Sequence, residues 1–212
     1  LLTFGMETTF FRFVNKAGED PRCVYATTLA AVGGVAVLFV AVVLACLPCI
    51  APALDYAAHP EYLGIMATCV AIDAFQCVPF AYLRFQRRPI KFAALKLLFI
   101  VLNILLNLLY FVVLPALYAL PAWHPVVAAI YDPSVGVGYA FSINLGCTAF
   151  ITLFFSKELL HVGARPDLQL LRRMLGYAWP ILVLGIAGIL NQTADKMLFP
   201  RLVPGAEGKV QL

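Results

Sequence analysis

The sequence predicts an all-α fold, a polytopic transmembrane helix bundle of about five complete spans plus one partial. Three observations predict it. Hydrophobic residues make up 63% of the 212-residue chain and charged residues only 12%, about half the charged share of a soluble domain. Mean hydropathy is +0.91. Val24–Ile50 is 27 residues long without a single charge, where roughly 20 apolar residues cross the hydrocarbon core. The long apolar segments also lack the period-two alternation of barrel strands, so they read as helices.

The elements follow in order. Residues 1–16 read as the tail of a span, and "NKAGEDPR" (15–22) as a short turn. Val24–Ile50 is the first full span, followed by the proline-bounded loop "APALDYAAHPEY" (51–62). Glu61–Phe85 is next and ends in the tight basic turn "RFQRRP" (84–89), where Pro89 suits the first position of a helix. Pro89–Leu117 leads to "LPAWHPVVAAIYDP" (120–133), whose Trp123 and Tyr131 fit an interfacial aromatic belt. Pro133–Ser156 and Leu168–Leu198 complete the set. Between them, Pro166 and Asp167 open a short amphipathic stretch expected on the membrane surface: Leu168, Leu170 and Leu171 against Arg172 and Arg173. The segments are too long for signal peptides, and no basic leader precedes the first. A chain that starts and stops inside such a pattern reads as a piece of a longer protein.

The net charge of +4 could suit nucleic acid, but its distribution argues against that partner. Arg12, Lys16, Arg22, Arg84, Arg87, Arg88, Lys91, Lys96, Lys157, Arg165, Arg172 and Arg173 fall on one side of the membrane. Lys196, Arg201 and Lys209 fall on the other. The positive-inside rule places the rich side in the cytoplasm. The partner expected from composition is the lipid bilayer.

Five of the six cysteines lie within apolar spans, and Cys23 opens one. "CLPC" (46–49) has redox spacing but ends a membrane helix and lacks the strand–helix setting of a redox motif. These thiols read as small packing residues. His59, His124 and His161 sit singly in loops, so neither a metal site nor a cofactor is expected.

Polar groups within hydrocarbon each need an account. Asp73 lies near the midplane of its span, with Gln76 three residues on and Pro79 following. It reads either as a hydrogen bonder between helices or as a proton- or cation-linked carboxylate in a cavity. Lys96, Asn103, Asn107 and Tyr110 step by seven, four and three residues and form one stripe, the wall of a wet groove or a set of helix–helix hydrogen bonds. Asn144, Thr148 and Thr152 make a weaker line in which packing is the favoured reading. Asn191 and Asp195 share a face near the outer surface, next to Lys196. Glu7 is deep and needs a partner or water. Arg12 suits a headgroup anchor or a fork onto a substrate phosphate.

Three stretches carry a resemblance: "FGMETTFFRFVNK", "DAFQCVPFAYLRFQRRPIKFAALKLLFIVLNILLNL" and "RMLGYAWPILVLGIAGILNQTADKMLFPRLVPG". They resemble the Wzx-type polysaccharide or oligosaccharide flippases of the MOP exporter superfamily, relatives of the MATE drug exporters and of the lipid II flippase. The resemblance runs over nearly the whole chain. It implies a MOP/MATE-like bundle in which this chain holds helices two to seven of two lobes around a central cavity. Residues 1–156 would then belong to the N-terminal lobe, 157–174 would be the cytoplasmic link, and 175–212 would begin the second lobe. It also implies a multi-pass protein of the bacterial inner membrane that moves a polyprenyl-pyrophosphate-linked oligosaccharide, driven by H+ or Na+. Glu7, Arg12, Asp73, Gln76, Lys96, Asn103, Asn107, Asn191 and Asp195 are the cavity candidates. Arg84, Arg87 and Arg88 are the candidates that attract phosphate at the cytoplasmic mouth. No catalytic residue is expected. The alternatives are a cation-coupled drug exporter and a polytopic enzyme of glycan assembly.

Overall fold

The computed structural model describes residues 2–16, 18–53, 60–118, 120, 124–128, 130–132, 135–156 and 163–202. Every regular element among them is helical. In chain order these are α1 (Met6–Val14), α2 (Pro21–Ala53), α3 (Pro60–Phe85) and α4 (Pro89–Leu108). A π-helical turn (Leu109–Val113) then runs into α5 (Leu114–Tyr118). After these come α6 (His124–Val127), α7 (Gly138–Leu153) and α8 (Leu168–Leu202). Three of the long helices open on proline, where the missing N–H costs no hydrogen bond. Asp167 does the same work for α8 by side chain: its Oδ1 accepts from the Gln169 N–H at 2.8 Å.

Four stretches are long and apolar enough to cross a membrane: Pro21–Ile50, Pro60–Phe85, Pro89–Tyr118 and Leu168–Asn191. The chain is a multi-pass membrane protein. The expected span 133–156 appears as the shorter α7, 16 residues and roughly 24 Å long. Its start is set back by the turn at Val135–Val137, where Gly136 has φ +48°. The Tyr62 hydroxyl donates to the Val135 carbonyl at 3.0 Å and ties that turn to the start of α3.

Side-chain pairings give the helix directions. Tyr25 stacks on Tyr82, Gly33 faces Phe75 and Leu44 faces Gly64, so α2 and α3 are antiparallel. Asn103 pairs with Asn144 and Tyr110 with Tyr139, so α4 and α7 are antiparallel as well. Tyr62 meets Gly138 while Phe80 meets Phe155, so α3 and α7 are parallel. The turns carrying Lys16, Arg87, Arg88 and Arg165 therefore gather at one end of the bundle, called here the basic end.

α3 is the central helix, packed against α1, α2, α4 and α7. One core joins Met6 and Phe10 of α1, Val24 and Tyr25 of α2, Val78 and Ala81 of α3, and Leu170 and Met174 of α8. A second joins Phe80 and Leu83 of α3 to Leu95, Ile151 and Phe155. Outward-facing residues are large and apolar, as on Val37 and Leu38 of α2 and Leu97 of α4. In lipid that exposure carries no hydrophobic cost.

Two local features depart from the sequence reading. Leu168–Arg173 does not lie apart on the membrane surface: it is the first turn and a half of α8, which begins at Leu168, where the last span was expected to begin. Leu170, Met174 and Ala178 continue one buried face at i, i+4 and i+8, which draws the segment into the core. The Pro89–Leu117 helix, in turn, is interrupted by the π turn. Pro115 has no N–H to offer the Phe111 carbonyl, and the wider turn sits immediately before it.

Candidate functional site

The site builds from α1. Gly5 adopts φ +71° ahead of the helix, and Met6, Phe10 and Phe13 then turn one face into the core. Glu7 and Phe11 fall on the neighbouring face toward α3. Arg84, in the last turn of α3, forms an ion pair with Glu7. Its guanidinium carbon lies 5.3 Å from the Phe11 ring centroid and 5.4 Å from that of Phe92 on α4. Three helices thus converge on one cation. Lys96 repeats the arrangement one turn deeper, with Nζ 4.2 Å from the Phe80 ring centroid. Phe80 is held edge-on by Phe92 at 5.4 Å and by Phe155 at 4.8 Å. Each cation–ring contact contributes about 0.5–2 kcal/mol, more as water is excluded.

Asp73 lies further along α3, exposed in this chain and within electrostatic reach of Lys96. The Thr148 hydroxyl of α7 donates to its Oδ1 at 3.5 Å, the long end of a hydrogen bond. Gln76 is placed differently. It is buried, and its amide donates to the Thr148 carbonyl and the Thr152 hydroxyl, both at 2.8 Å. It fastens α3 to α7, while Asp73 one turn away stays exposed.

Away from the basic end the polar side chains become neutral. The Asn103 amide donates to Asn144 Oδ1 at 3.4 Å. The Asn107 amide donates to the Asn103 carbonyl at 2.8 Å and to its side-chain oxygen at 3.0 Å. A ring ladder follows: Tyr110 to Tyr139 at 4.9 Å, Tyr139 to Tyr131 at 5.6 Å, and Tyr131 to Tyr118 at 5.9 Å.

One polar face therefore runs over α1, α3, α4 and α7. It carries two carboxylates and two cations, then amides, then tyrosines. A lone charge at membrane depth costs roughly 2.5–3.5 kcal/mol on insertion scales, so near-balance between Glu7, Asp73, Arg84 and Lys96 is what makes the face tolerable. The face offers anion-binding donors at the basic end and two-way hydrogen bonding for hydroxyl groups beyond it.

Glu7, Asp73, Lys96, Asn103 and Asn107 of the sequence candidates come together here, with Gln76 behind them. Arg84 joins them through Glu7, while Arg87 and Arg88 stand exposed at the turn. Arg12 is elsewhere: its guanidinium carbon lies 4.1 Å over the Tyr177 ring of α8. Asn191 is exposed on α8, which packs mainly on α1 and α2. The side chain of Asp195 lies outside the described residues. Sequence reasoning missed the rings that carry the cations, Phe11, Phe80 and Phe92. Helical spacing would have paired them wrongly: Phe80 precedes Arg84 and Phe92 precedes Lys96 by four residues, whereas the contacts cross between α3 and α4, Arg84 on Phe92 and Lys96 on Phe80. No family model, no curated protein and no solved structure matches this chain.

Proposed function

We propose that the chain forms part of a flippase that carries a polyprenyl-pyrophosphate-linked oligosaccharide across a bacterial inner membrane by alternating access. The observation that carries the reading is the charge-balanced polar face on α1, α3, α4 and α7, set among helices long enough to span a bilayer. Arg84 and Lys96, each already on an aromatic ring, receive pyrophosphate oxygens. Arg87 and Arg88 draw the anion to the mouth from the cytoplasm. Asn103, Asn107 and Asn144 exchange their mutual hydrogen bonds for sugar hydroxyls, and the tyrosine ladder offers ring faces to the saccharide. Asp73 couples the cycle to a proton or sodium ion.

The test is transport of a labelled lipid-linked glycan by the intact gene product in proteoliposomes. Movement to the far leaflet with the glycan's mass unchanged is expected. A changed mass would point to an enzyme of glycan assembly, and no movement would remove the flippase reading. A second reading, a cation-coupled exporter of organic cations, is favoured by the exposed Asp73 carboxylate within a membrane-spanning helix. Accumulation of a lipophilic dye cation in everted vesicles, abolished by Asp73→Asn, would select it.

A further inference from the structure

The six cysteines divide by exposure. Cys69 and Cys147 are buried, as packing thiols are, and Cys23 and Cys77 are partly buried. Cys46 and Cys49, near the end of α2, are both exposed. Three residues apart, they lie within about 60° of each other round the helix. Leu44 and Leu47 lie against Gly64 of α3, and the cysteine pair is turned about 200° from them, so it faces away from α3.

Depth separates the pair from side chains that face lipid. Cys46 lies 24 residues beyond Arg22 at the basic end, about 36 Å along the helix, whereas the hydrocarbon core is about 30 Å thick. The antiparallel register in which Gly33 faces Phe75 and Leu44 faces Gly64 sets Cys46 level with Tyr62. It sets Cys49 level with the start of α3, at Pro60 and the exposed Glu61. A carboxylate at that level marks the water boundary, so both thiols stand at the aqueous face opposite the basic end.

We propose that Cys46 and Cys49 are a redox site, a dithiol that closes reversibly to a disulfide by exchange with a disulfide in the compartment opposite the basic end. Residues three apart on a helix have Cα atoms about 5 Å apart, inside the range of about 4.4–6.8 Å that disulfides span. Their β-carbons start about 5–6 Å apart and must close to about 4 Å, so the turn has to tighten. The sequence loosens that turn. Pro48 has no N–H for the Leu44 carbonyl, and Pro52 has none for the Pro48 carbonyl, so two helical hydrogen bonds are missing around the pair.

In the exchange, the thiolate of one cysteine attacks a sulfur of the incoming disulfide and releases one thiol. The second cysteine then attacks the mixed disulfide and releases the other. The protein gives up two electrons and two protons, and the incoming disulfide leaves as two thiols. With the basic end in the cytoplasm, as its charge predicts, the pair faces a compartment where disulfides persist. An exposed disulfide that tightens its own helix belongs to the labile, reversible kind. The inference does not rest on the substrate proposed above.

The experiment uses the intact gene product in sealed membrane vesicles of either orientation. Vesicles are equilibrated in buffers of reduced and oxidised glutathione. Free thiols are then blocked with an alkylating reagent, and disulfides are reduced and tagged with a heavier isotope of the same reagent. Tandem mass spectrometry reads the tag at each cysteine. We expect Cys46 and Cys49 to take the heavy tag together, while Cys69 and Cys147 do not. The ratio of oxidised to reduced pair should change tenfold for each tenfold change in the glutathione quotient. The response should be confined to vesicles that present the face opposite the basic end to the buffer. Cys46→Ser should leave Cys49 held as a mixed disulfide with glutathione, and Cys49→Ser should do the converse. Membrane abundance should be unchanged in both, because neither side chain is buried. A pair that stays reduced in excess oxidised glutathione, that reacts only from the side of the basic end, or that oxidises into disulfide-linked dimers would overturn the inference.

Discussion

At the residue scale, the ion pair of Glu7 with Arg84 and the bonds of Gln76 do different work, and substitutions separate them. Glu7→Gln leaves Arg84 with rings but no countercharge, and Arg84→Gln strands the carboxylate. Each single change should lower membrane abundance or thermal stability by about 1 kcal/mol. The double change should cost less than the sum of the two, measured as a double-mutant cycle. Gln76→Leu removes two donors that hold α7. It should cost about 0.6–1.7 kcal/mol in unfolding experiments in detergent, with transport retained by whatever folds. Asp73→Asn should behave in the opposite way, with normal folding but transport that no longer responds to pH. Wild-type transport and pH response in Asp73→Asn would make Asp73 a hydrogen bonder and nothing more. Asp73, Asn103 and Asn107 were legible in the sequence because a polar residue in an apolar run announces itself. The Glu7–Arg84 pairing was not, since 77 positions separate the partners and only the packing of α1 on α3 brings them together.

At the element scale, the α3–α4 turn holds a strained arginine. Arg87 has φ +54°, where glycine is the usual residue, while its N–H bonds the Arg84 carbonyl and the Arg88 N–H bonds that of Leu83. Left-handed backbone costs a non-glycine residue about 1–2 kcal/mol, so Arg87→Gly should raise thermal stability by about 1 kcal/mol. If Arg87 attracts phosphate, the same variant should transport more slowly, a stability gain paired with a functional loss. At the α1–α8 crossing, a β-carbon on Gly5 would lie 2.6 Å from Ile181 Cγ2 on a backbone at φ +71°. Gly5→Ala should therefore destabilise by more than 1 kcal/mol, and adding Ile181→Ala should restore only the steric part, read from melting curves. Helix existence was legible from hydrophobic run length. Helix limits were less so. The shortening of α7 depends on Tyr62 reaching Val135 from another helix, and the absorption of Leu168–Arg173 into α8 depends on a core that only the folded chain supplies.

At the scale of the whole molecule, the clustering of Lys16, Arg87, Arg88 and Arg165 at one end predicts an orientation. Arg87→Cys and His124→Cys, in a background without the native cysteines, should label from opposite faces of the membrane with an impermeant thiol reagent, Arg87→Cys from the cytoplasmic side. Equal labelling from outside would reverse or void the topology. Charge asymmetry makes an expected orientation readable from sequence; the split of α3 into a polar and an apolar side was not, since it depends on which helices pack around α3. A last consequence concerns α8. Its first turns are gripped, with Leu170, Met174 and Ala178 buried and Tyr177 beneath Arg12, while Val183, Leu184 and Leu190 stand exposed. Mechanically that is a cantilever, a rod clamped at its base and free along its length. Such a rod flexes where the clamp ends, at the packing of Ile181 on Gly5, and Pro180 lies beside that contact, with no N–H to brace the Gly176 carbonyl. Small rotations at this fulcrum would be magnified toward the far leaflet, so whatever leans on the free arm of α8 is steered from a point beside Arg12.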